Sequence, residues 1–258
     1  MTKLLICFIL LISVIYGYFK RYLTFSGAVA AFFVGGAVVL AFGFRGLIVL
    51  GVFFATSSQW SKYKQVYKQQ VEQKLEKGSR RDWQQVVANG GVAAVAAIFF
   101  YFDQQEFWIY MFCISIASAN SDTWASEIGT LSKRPPLFIR TLKIVEKGTS
   151  GAVSWLGTSA ALAGSLLIAL VSMLLFHLST NEFLFVFILG FLGNVFDTLF
   201  GAFLQVTYVC QHCGAETEKK LHCAQPTVKV RGLKMMNNEA VNFISGFLAS
   251  CAGIWLLK

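Results

Sequence analysis

The sequence contains few charged residues: 14% of its 258 positions are Asp, Glu, Lys or Arg, against about 25% in an average soluble domain. It also has only three prolines, and no segment rich in Pro, Gly or Ser separates one part of the chain from another. These scarcities exclude an ordinary soluble protein and give no sign of an interdomain linker. We therefore treat residues 1–258 as one integral membrane domain.

Long apolar runs make up much of the sequence, since 56% of the residues are hydrophobic and 25 are Phe. A membrane-spanning helix needs about 17–25 mostly apolar residues. The runs predict an all-α, polytopic membrane bundle with about eight transmembrane or re-entrant helices, at 3–19, 27–44, 46–60, 86–102, 107–127, 151–176, 183–206 and 239–257. The run at 46–60 is short, so it either continues beyond Trp60 or lies shallowly. The first run resembles a signal peptide, but no clean cleavage site follows it, so we expect it to be retained.

The distribution of basic residues predicts the orientation. With both termini outside, 19 of the 22 Lys and Arg residues fall in inner segments, as the positive-inside rule requires. This asymmetry predicts a multi-pass membrane protein, and we expect it in a bacterial-type plasma membrane. It also explains the net charge of +9 by contact with anionic lipid headgroups. The charge gives no reason to expect a nucleic-acid partner.

Acidic side chains lie at the inner ends of two otherwise apolar runs. The motif ANSDTWASEIG at 119–129 contains Asp122 and Glu127, and GNVFDTLFGAFLQ at 193–205 contains Asp197. An unpaired carboxylate at membrane depth costs about 2.5–3.5 kcal/mol on insertion scales. Carboxylate, Asn and Thr oxygens suit Mg²⁺, which commonly shares its ligand shell with substrate phosphates. We predict a Mg²⁺–nucleotide site, entered from the cytoplasm, with these three acids as metal ligands.

The helical positions of the first two acids leave alternatives open. On an ideal helix Asp122 points about 140° away from Glu127, so either the helix is irregular or the two acids have different roles. The competing interpretation is that the acids pair with Lys and Arg at the membrane interface.

Basic, amide and hydroxyl residues at the same inner ends are candidate phosphate ligands. In VEKGTSGAVSWLG at 145–157, Lys147 and two glycines precede a long apolar helix, with Thr149 or Ser150 as its expected N-cap. Backbone N–H groups at such a helix start favour a phosphate. The predicted catalytic residues are Asp122, Glu127, Lys147 and Asp197. The predicted nucleotide- and phosphate-binding residues are Ser58, Lys62, Lys77, Arg80, Arg81, Asn89, Asn120, Gly148, Thr149, Ser150, Asn194, Asn238 and Asn242. Ordinary capping, interhelical hydrogen bonding and positive-inside anchoring are the alternatives for this second set.

A Cys/His loop occupies the inner segment 207–238. Cys210 and Cys213 form a CxxC motif, and His222 and Cys223 follow it. This spacing fits a structural Zn²⁺ site, which we assign to these four residues, although the single CxxC leaves the fourth ligand ambiguous. Because the loop faces a reducing compartment, we expect no disulfides.

Six ordered blocks resemble those of a known membrane family: LTFSGAVAA, EKGSRRDWQQVVANGG, ANSDTWASEIG, VEKGTSGAVSWLGT, GNVFDTLFGAFLQ and NNEAVNFISG. They are similar to the signature blocks of an integral membrane family first catalogued as domain of unknown function ninety-two. That family includes animal transmembrane protein 19 and the plant phytyl-phosphate kinase. The similarity covers about residues 20–250, which is nearly the whole chain.

The resemblance implies a kinase that transfers a phosphoryl group from CTP, or another nucleoside triphosphate, to an isoprenoid monophosphate among membrane lipids. The polar signature positions that match are Asn89, Asn120, Asp122, Glu127, Lys147, Asp197, Asn238 and Asn242. Mg²⁺ is the expected cofactor and CTP the expected co-substrate. The Cys/His loop departs from the animal and plant pattern, which leaves the exact acceptor open. A transporter and a CTP-dependent lipid cytidylyltransferase are the alternatives, and the sequence leaves the oligomeric state open.

Overall fold

The computed structural model of the chain is mainly helical, and its backbone is described for residues 3–72 and 74–257. These ranges contain eight α-helices: α1 (Lys3–Phe19), α2 (Phe25–Lys62), α3 (Gln65–Glu72), α4 (Trp83–Asp103), α5 (Phe107–Gly129), α6 (Trp155–Phe176), α7 (Thr180–Phe203) and α8 (Asn238–Leu257). The predicted apolar runs coincide with these helices to within a few residues. The predicted helical membrane bundle is therefore confirmed, while α3 was not predicted.

Helix α2 is a hairpin of two apolar halves. Gly43 interrupts it with φ 60° and ψ −140°, a conformation that glycine adopts readily. A Cβ added at Gly46 would lie 2.6 Å from Cγ1 of Val38, whereas residues eight positions apart on a straight helix are about 12 Å apart. The chain therefore reverses at Gly43. The runs at 27–44 and 46–60 are its two antiparallel arms, and the second arm continues to Lys62.

Helix α5 lies at the centre of the bundle. It contacts α2, α4, α6, α7 and α8, and its residues from 110 to 121 are buried. A helix covered on all sides needs no polar face, which explains its long apolar run. Small residues allow close helix approach: a Cβ at Gly190 of α7 would lie 2.5 Å from Cβ of Ala117, and one at Gly193 would lie 2.0 Å from Oγ of Ser118.

The helices have the lengths and surfaces of membrane spans. Among the described residues, α2, α4, α6 and α7 are long and apolar enough to cross a membrane, and α1 is a shorter apolar helix. Large apolar side chains such as Phe33, Leu174 and Trp255 are exposed on the outside of the bundle, where lipid would cover them. The chain is a polytopic helical membrane protein.

Several helix termini meet at the end of the bundle opposite Gly43. Lys62 Nζ donates to the carbonyl oxygen of Lys20 at 2.6 Å, and the backbone N–H of Thr24 donates to the carbonyl oxygen of Arg81 at 2.9 Å. The end of α1, both termini of α2 and the start of α4 therefore lie together. We call this the polar end.

Short strands, which were not predicted, form in the two long connections at the polar end. The α5–α6 connection contains β1 (Leu137–Phe138), β2 (Lys143–Ile144) and β3 (Ala152–Val153), in the antiparallel order β2-β1-β3. The α7–α8 connection contains β4 (Thr207–Val209), β5 (Glu216–Thr217), β6 (Leu221–His222), β7 (Gln225–Pro226) and β8 (Val228–Arg231). Strands β5, β4 and β8 form one antiparallel sheet, and β6 pairs with β7.

Candidate functional site

A polar cavity of about 310 Å³ lies at the polar end, near the lower limit of the about 300–1,000 Å³ typical of small-molecule sites. Its walls come from α2 to α8 and from the connecting loops. The predicted residues that line it are Lys77, Arg81, Asn89, Asp122, Glu127, Lys147, Gly148, Thr149, Ser150, Asn194, Asp197, Asn238 and Asn242. Residues from five of the six sequence blocks thus meet in one cavity.

Two acids from different helices meet in this cavity. Asp122 of α5 and Asp197 of α7 lie close enough for a hydrogen bond between their carboxyl groups. Asn194 Nδ2 donates to Asp122 Oδ1 at 3.2 Å, and Ser245 Oγ lies 3.3 Å from Asp197 Oδ2 as a donor. Two adjacent carboxylates repel each other unless a proton or a cation lies between them. The pair therefore has the donor chemistry of a divalent-cation site.

Asn242 of α8 supports the same pair. With its amide oriented so that both of its contacts are satisfied, its nitrogen donates to Asp197 Oδ2 at 2.9 Å and to the carbonyl oxygen of Asn238 at 3.0 Å. The contact ties the first turn of α8 to α7. Asn242 and Ser245 both donate to Oδ2 of Asp197, so neither of them occupies Oδ1.

Glu127 has a different partner. Lys68 of α3 donates from Nζ to its Oε2 at 2.6 Å, and Ser61 Oγ donates to its Oε1 at 2.6 Å. Lys68 is only 3% exposed and also donates to the carbonyl oxygen of Trp60 at 2.6 Å. Glu127 therefore pairs with a basic side chain, as the competing interpretation of the acids expected. Asp122 and Asp197 instead face each other. Helix α5 is continuous here, so the two acids of the motif have different neighbours because they lie on different faces.

A second charged cluster forms another wall. Lys77 Nζ lies 2.8 Å from Oδ2 of Asp82 and 3.1 Å from Oε1 of Glu239. Asp82 also caps α4 by accepting from the backbone N–H of Gln85 at 3.0 Å. Glu239 is 9% exposed, and its Oε2 has no hydrogen-bond partner among the described residues. An unpartnered buried carboxylate oxygen in a cavity wall favours a cationic or hydrogen-bonding ligand.

The glycine-containing loop before α6 also borders the cavity. Gly148 and Gly151 have φ of 81° and 80°, and a Cβ at Gly151 would lie 2.3 Å from the backbone nitrogen of Ala202. The expected N-cap was wrong, because α6 begins at Trp155 and Ser154 caps it by accepting from Gly157 N at 3.1 Å. Thr149 and Ser150 lie in the preceding turn instead.

Cationic side chains face the cavity from two sides. Lys147 lines it and has no ion pair among the described residues. Arg81 lies with its guanidinium 5.6 Å from the ring centroids of Phe53 and Phe54. Burial lowers the pKa of Arg81 to about 10, so this group remains cationic at neutral pH.

Asn120 and Ser58 lie outside the lining of this cavity. Asn120 is fully buried, donates from Nδ2 to the carbonyl oxygen of Gly164 at 2.8 Å, and accepts from Ser57 Oγ at 3.2 Å. These bonds join α2, α5 and α6. Ser58 is buried in α2. The structure therefore places both in the helix packing.

Lys62 and Arg80 also lie outside the lining. Lys62 donates to Lys20, as described above, and lies 3.9 Å from the ring centroid of Tyr22. Arg80 Nε donates to the carbonyl oxygen of Leu23 at 2.8 Å. Both side chains attach the segment at the end of α1 to the rest of the polar end, in agreement with the alternative of interhelical hydrogen bonding.

Three acidic residues that line the cavity were not predicted: Glu76, Glu218 and Glu239. Glu239 follows Asn238 in the NNEAVNFISG block, so its position in that block was an available signal. Glu218 belongs to the Cys/His loop and accepts from Gln205 Nε2 at 2.8 Å. Burial raises the pKa of Glu218 to about 7, with Glu239 and Glu76 nearby contributing. Only the folded loop brings Glu218 to the cavity, so sequence spacing alone gave no signal for it.

The assembled cavity has ligand groups suited to a divalent cation and to phosphate groups. Asp122 and Asp197 supply adjacent carboxylate oxygens, and Lys147, Arg81 and the Gly148–Gly151 stretch line the same space. Hard oxygen ligands beside cationic side chains are the common arrangement of Mg²⁺–phosphate sites. The four loop residues Cys210, Cys213, His222 and Cys223 form a separate cluster.

Comparison with known proteins gives one family. A model of the family described as "Integral membrane protein DUF92" matches residues 8–250. "Protein PGR" of Arabidopsis thaliana is 32% identical over 270 residues, which cover 93% of this chain and 92% of that protein. "Uncharacterized membrane protein MJ0933" of Methanocaldococcus jannaschii is 34% identical over 187 residues, covering 72% and 76% of the two chains. "Protein VTE6, chloroplastic" of Arabidopsis thaliana is 26% identical over 90% of this chain and 64% of its own. No solved structure shows significant similarity.

Proposed function

The chain belongs to the DUF92 family of integral membrane proteins, and from this premise we propose that it is a membrane prenyl-phosphate kinase. The reaction transfers the terminal phosphoryl group of CTP, or of another nucleoside triphosphate, to an isoprenoid monophosphate. The observation that carries the proposal is the Asp122–Asp197 pair beside cationic side chains in a cavity at the polar end. The resemblance to a family with a phytyl-phosphate kinase supplies the reaction class.

A Mg²⁺ ion would be held by Asp122 and Asp197, and its role is to neutralise charge on the donor phosphates. The two carboxylates fit it because they are adjacent oxygen donors whose repulsion a cation relieves. Glu127, with Lys68 and Ser61 already bound to it, serves instead to fix α3 against α5. Of the three acids predicted as metal ligands, the proposal therefore keeps Asp122 and Asp197 and removes Glu127.

The basic residues bind and orient phosphates. Lys147 and Arg81 approach the cavity from the α6 and α4 sides, and the N-terminal turn of α6 adds backbone N–H groups. An oxygen of the acceptor phosphate attacks the terminal phosphorus of the donor, and the bond to its bridging oxygen breaks. The products are the isoprenoid diphosphate and CDP. Because the acceptor is already an anionic phosphate, the reaction needs positioning and charge neutralisation more than a strong base.

The polar end would face the cytoplasm, because the basic residues concentrate there. An isoprenoid acceptor then keeps its chain among the membrane lipids and presents its phosphate at headgroup level. The far half of the bundle is filled by the packed rings of Phe42, Phe100, Phe112 and Phe176, with centroids 4.8–6.0 Å apart. A transporter needs a polar path through that half, so the aromatic packing supports an enzyme with one-sided access.

Product identification tests the proposal. Purified protein in nanodiscs is incubated with Mg²⁺, each nucleoside triphosphate and isoprenoid monophosphates of several chain lengths, and the products are identified by mass. The expected products are an isoprenoid diphosphate and the nucleoside diphosphate. A CMP-linked lipid with pyrophosphate would show a cytidylyltransferase instead. No turnover with any pair would contradict both enzyme assignments.

A further inference from the structure

The Cys/His loop folds into a compact unit that brings four potential metal ligands together. One ligand atom from each of Cys210, Cys213, His222 and Cys223 lies within 4.8 Å of all the others. Cys213 and Cys223 Sγ lie 3.5 and 3.3 Å from Nδ1 of His222. With Zn–N bonds of about 2.0 Å and Zn–S bonds of about 2.3 Å, a tetrahedral site places its N and S ligands about 3.5 Å apart. The cluster therefore has the dimensions of a Zn²⁺ site.

Two tight turns present these ligands from opposite sides. In the first, the N–H of Gly214 donates to the carbonyl oxygen of Cys210 at 2.8 Å, and Gly214 has φ of 72°. In the second, Cys223 and Ala224 connect β6 to β7 with φ of 52° and 58°. Non-glycine residues seldom adopt this left-handed region, and a bond from the Cys223 thiolate to a metal would offset the strain.

The types of the four ligands favour zinc in a structural role. Three thiolates and one imidazole are a common zinc ligand set, and a site with four protein ligands leaves no position for a substrate. The unit has three cysteines, so a disulfide between any two would leave one thiol unpaired. His212 lies in the same CxxC loop but is not a member of the cluster, so the ambiguity over the histidine ligand is resolved in favour of His222.

The unit also contacts the wall of the main cavity. Thr217 Oγ1 and the backbone N–H of Glu218 both donate to the carbonyl oxygen of Lys74, at 2.7 and 2.9 Å. The N–H of Glu76 lies 3.4 Å from Oε2 of Glu218. These bonds attach the segment before α4 to strand β5, which lies between the CxxC turn and the β6–β7 hairpin.

We propose that Cys210, Cys213, His222 and Cys223 bind one structural Zn²⁺ ion, and that this ion holds Thr217 and Glu218 against the segment at 74–77. The ion fixes the spacing between the two turns on either side of β5. It thereby fixes the position at which Glu218 enters the cavity wall. The inference is independent of the reaction proposed for the cavity.

Metal analysis of the full-length protein tests the site. Protein purified without chelators or an affinity metal should contain about one zinc per chain, and Cys213→Ser and Cys223→Ser should lose at least nine-tenths of it. The matched controls His212→Ala and Cys7→Ser should keep the full content. No zinc in the wild-type protein, or full zinc in the Cys213→Ser and Cys223→Ser proteins, would overturn the proposal.

Cobalt substitution keeps the test decisive if the cysteine variants fold poorly. The wild-type protein loaded with Co²⁺ should show thiolate-to-cobalt charge transfer and the intense visible bands of tetrahedral cobalt. His222→Cys should retain the metal with a shifted spectrum. A wild-type spectrum of octahedral cobalt without thiolate bands would overturn the assignment.

Limited trypsin digestion tests the positioning role. Removal of zinc from the wild-type protein by a chelator should accelerate cleavage after Lys74 and Lys77 about tenfold. The reason is that the segment at 74–77 would lose its ordered contacts with Thr217 and Glu218. Cleavage after Lys20 and Arg21, at the end of α1, is the internal control and should not change. Equal protection at Lys74 with and without zinc would overturn the positioning role.

Discussion

Asn194 on α7 donates a hydrogen bond of 3.2 Å from Nδ2 to Oδ1 of Asp122 on α5. The bond joins the two helices whose acids, Asp122 and Asp197, meet in the cavity. Neither acid has an ion pair among the described residues. Their charge therefore remains available to a cation, and this pair is the centre of the proposed site.

Replacement of either acid should abolish most of the activity. Asp122→Asn and Asp197→Asn keep the shape of the side chain and remove a negative charge, so we expect kcat/KM to fall on the order of 10²–10³-fold. Asp103→Asn is the matched control, because Asp103 lies at the far end of the bundle, where it accepts from Trp108. Steady-state kinetics should show the control within about twofold of wild type. Equal losses in all three variants would contradict a local role.

Glu127 should behave as a stabilising residue. Breaking one partner of a buried ion pair costs about 3–5 kcal/mol, so Glu127→Gln and Lys68→Met should each lower the unfolding temperature in detergent. The double variant should recover part of the loss, since it leaves no unpaired charge. If Glu127→Gln kept full stability and lost activity as severely as Asp122→Asn, Glu127 would be a metal ligand after all.

Lys147 should act on phosphate binding. Lys147→Met is expected to raise the nucleotide KM or lower kcat by about 10–100-fold. Stability should not change, because the side chain has no ion pair with any residue that the structure describes. Lys147→Arg should retain more activity. Lys143→Met, on exposed strand β2, is the control and should resemble the wild type.

Gly151→Ala should distort the loop before α6. The residue has φ of 80°, and the added Cβ would lie 2.3 Å from the backbone nitrogen of Ala202, so either the loop or α7 must shift. We expect lower thermal stability and lower activity together. Gly51→Ala is the matched control, because no atom lies within 4 Å of the added Cβ and the residue is outside the cavity lining. A Gly151→Ala protein with wild-type stability would show that the loop tolerates displacement.

Glu218 should make stability depend on pH. Its pKa is raised to about 7 by burial, above the usual value of about 4.3, so the folded state holds its proton over a range in which the unfolded state has lost it. Stability should therefore fall as the pH rises between these two values. Thermal unfolding across this range should show the decline in the wild type and a weaker one in Glu218→Gln. Identical profiles would mean that Glu218 is not buried.

The helices were predictable because the membrane imposes a simple pattern of apolar runs of fixed length. Both arms of α2 were found as separate runs, and Gly43 lies at the end of the first of them. The short strands were not predictable in the same way, since elements of two to four residues depend on tertiary pairing rather than on periodicity.

The sequence predicted which residues line the cavity better than it predicted what each residue does there. Sequence blocks identified many of the residues that line the cavity. They gave no partner for Glu127, because that partner lies on α3, a short polar helix without an apolar signal. Asn120 was predicted to bind phosphate because it matches a polar signature position of the family that the sequence resembles. In the structure it faces Ser57 and Gly164, and burial within the bundle decided its role.

Divalent-metal binding at the Asp122–Asp197 pair tests the central claim most directly. Mn²⁺ replaces Mg²⁺ as a paramagnetic probe, and its binding to the protein in nanodiscs with a non-hydrolysable CTP analogue is measured by electron paramagnetic resonance. The account predicts saturable binding that weakens at least about tenfold in Asp122→Asn and in Asp197→Asn and is unchanged in Asp103→Asn. Equal Mn²⁺ affinity in all four proteins would contradict it.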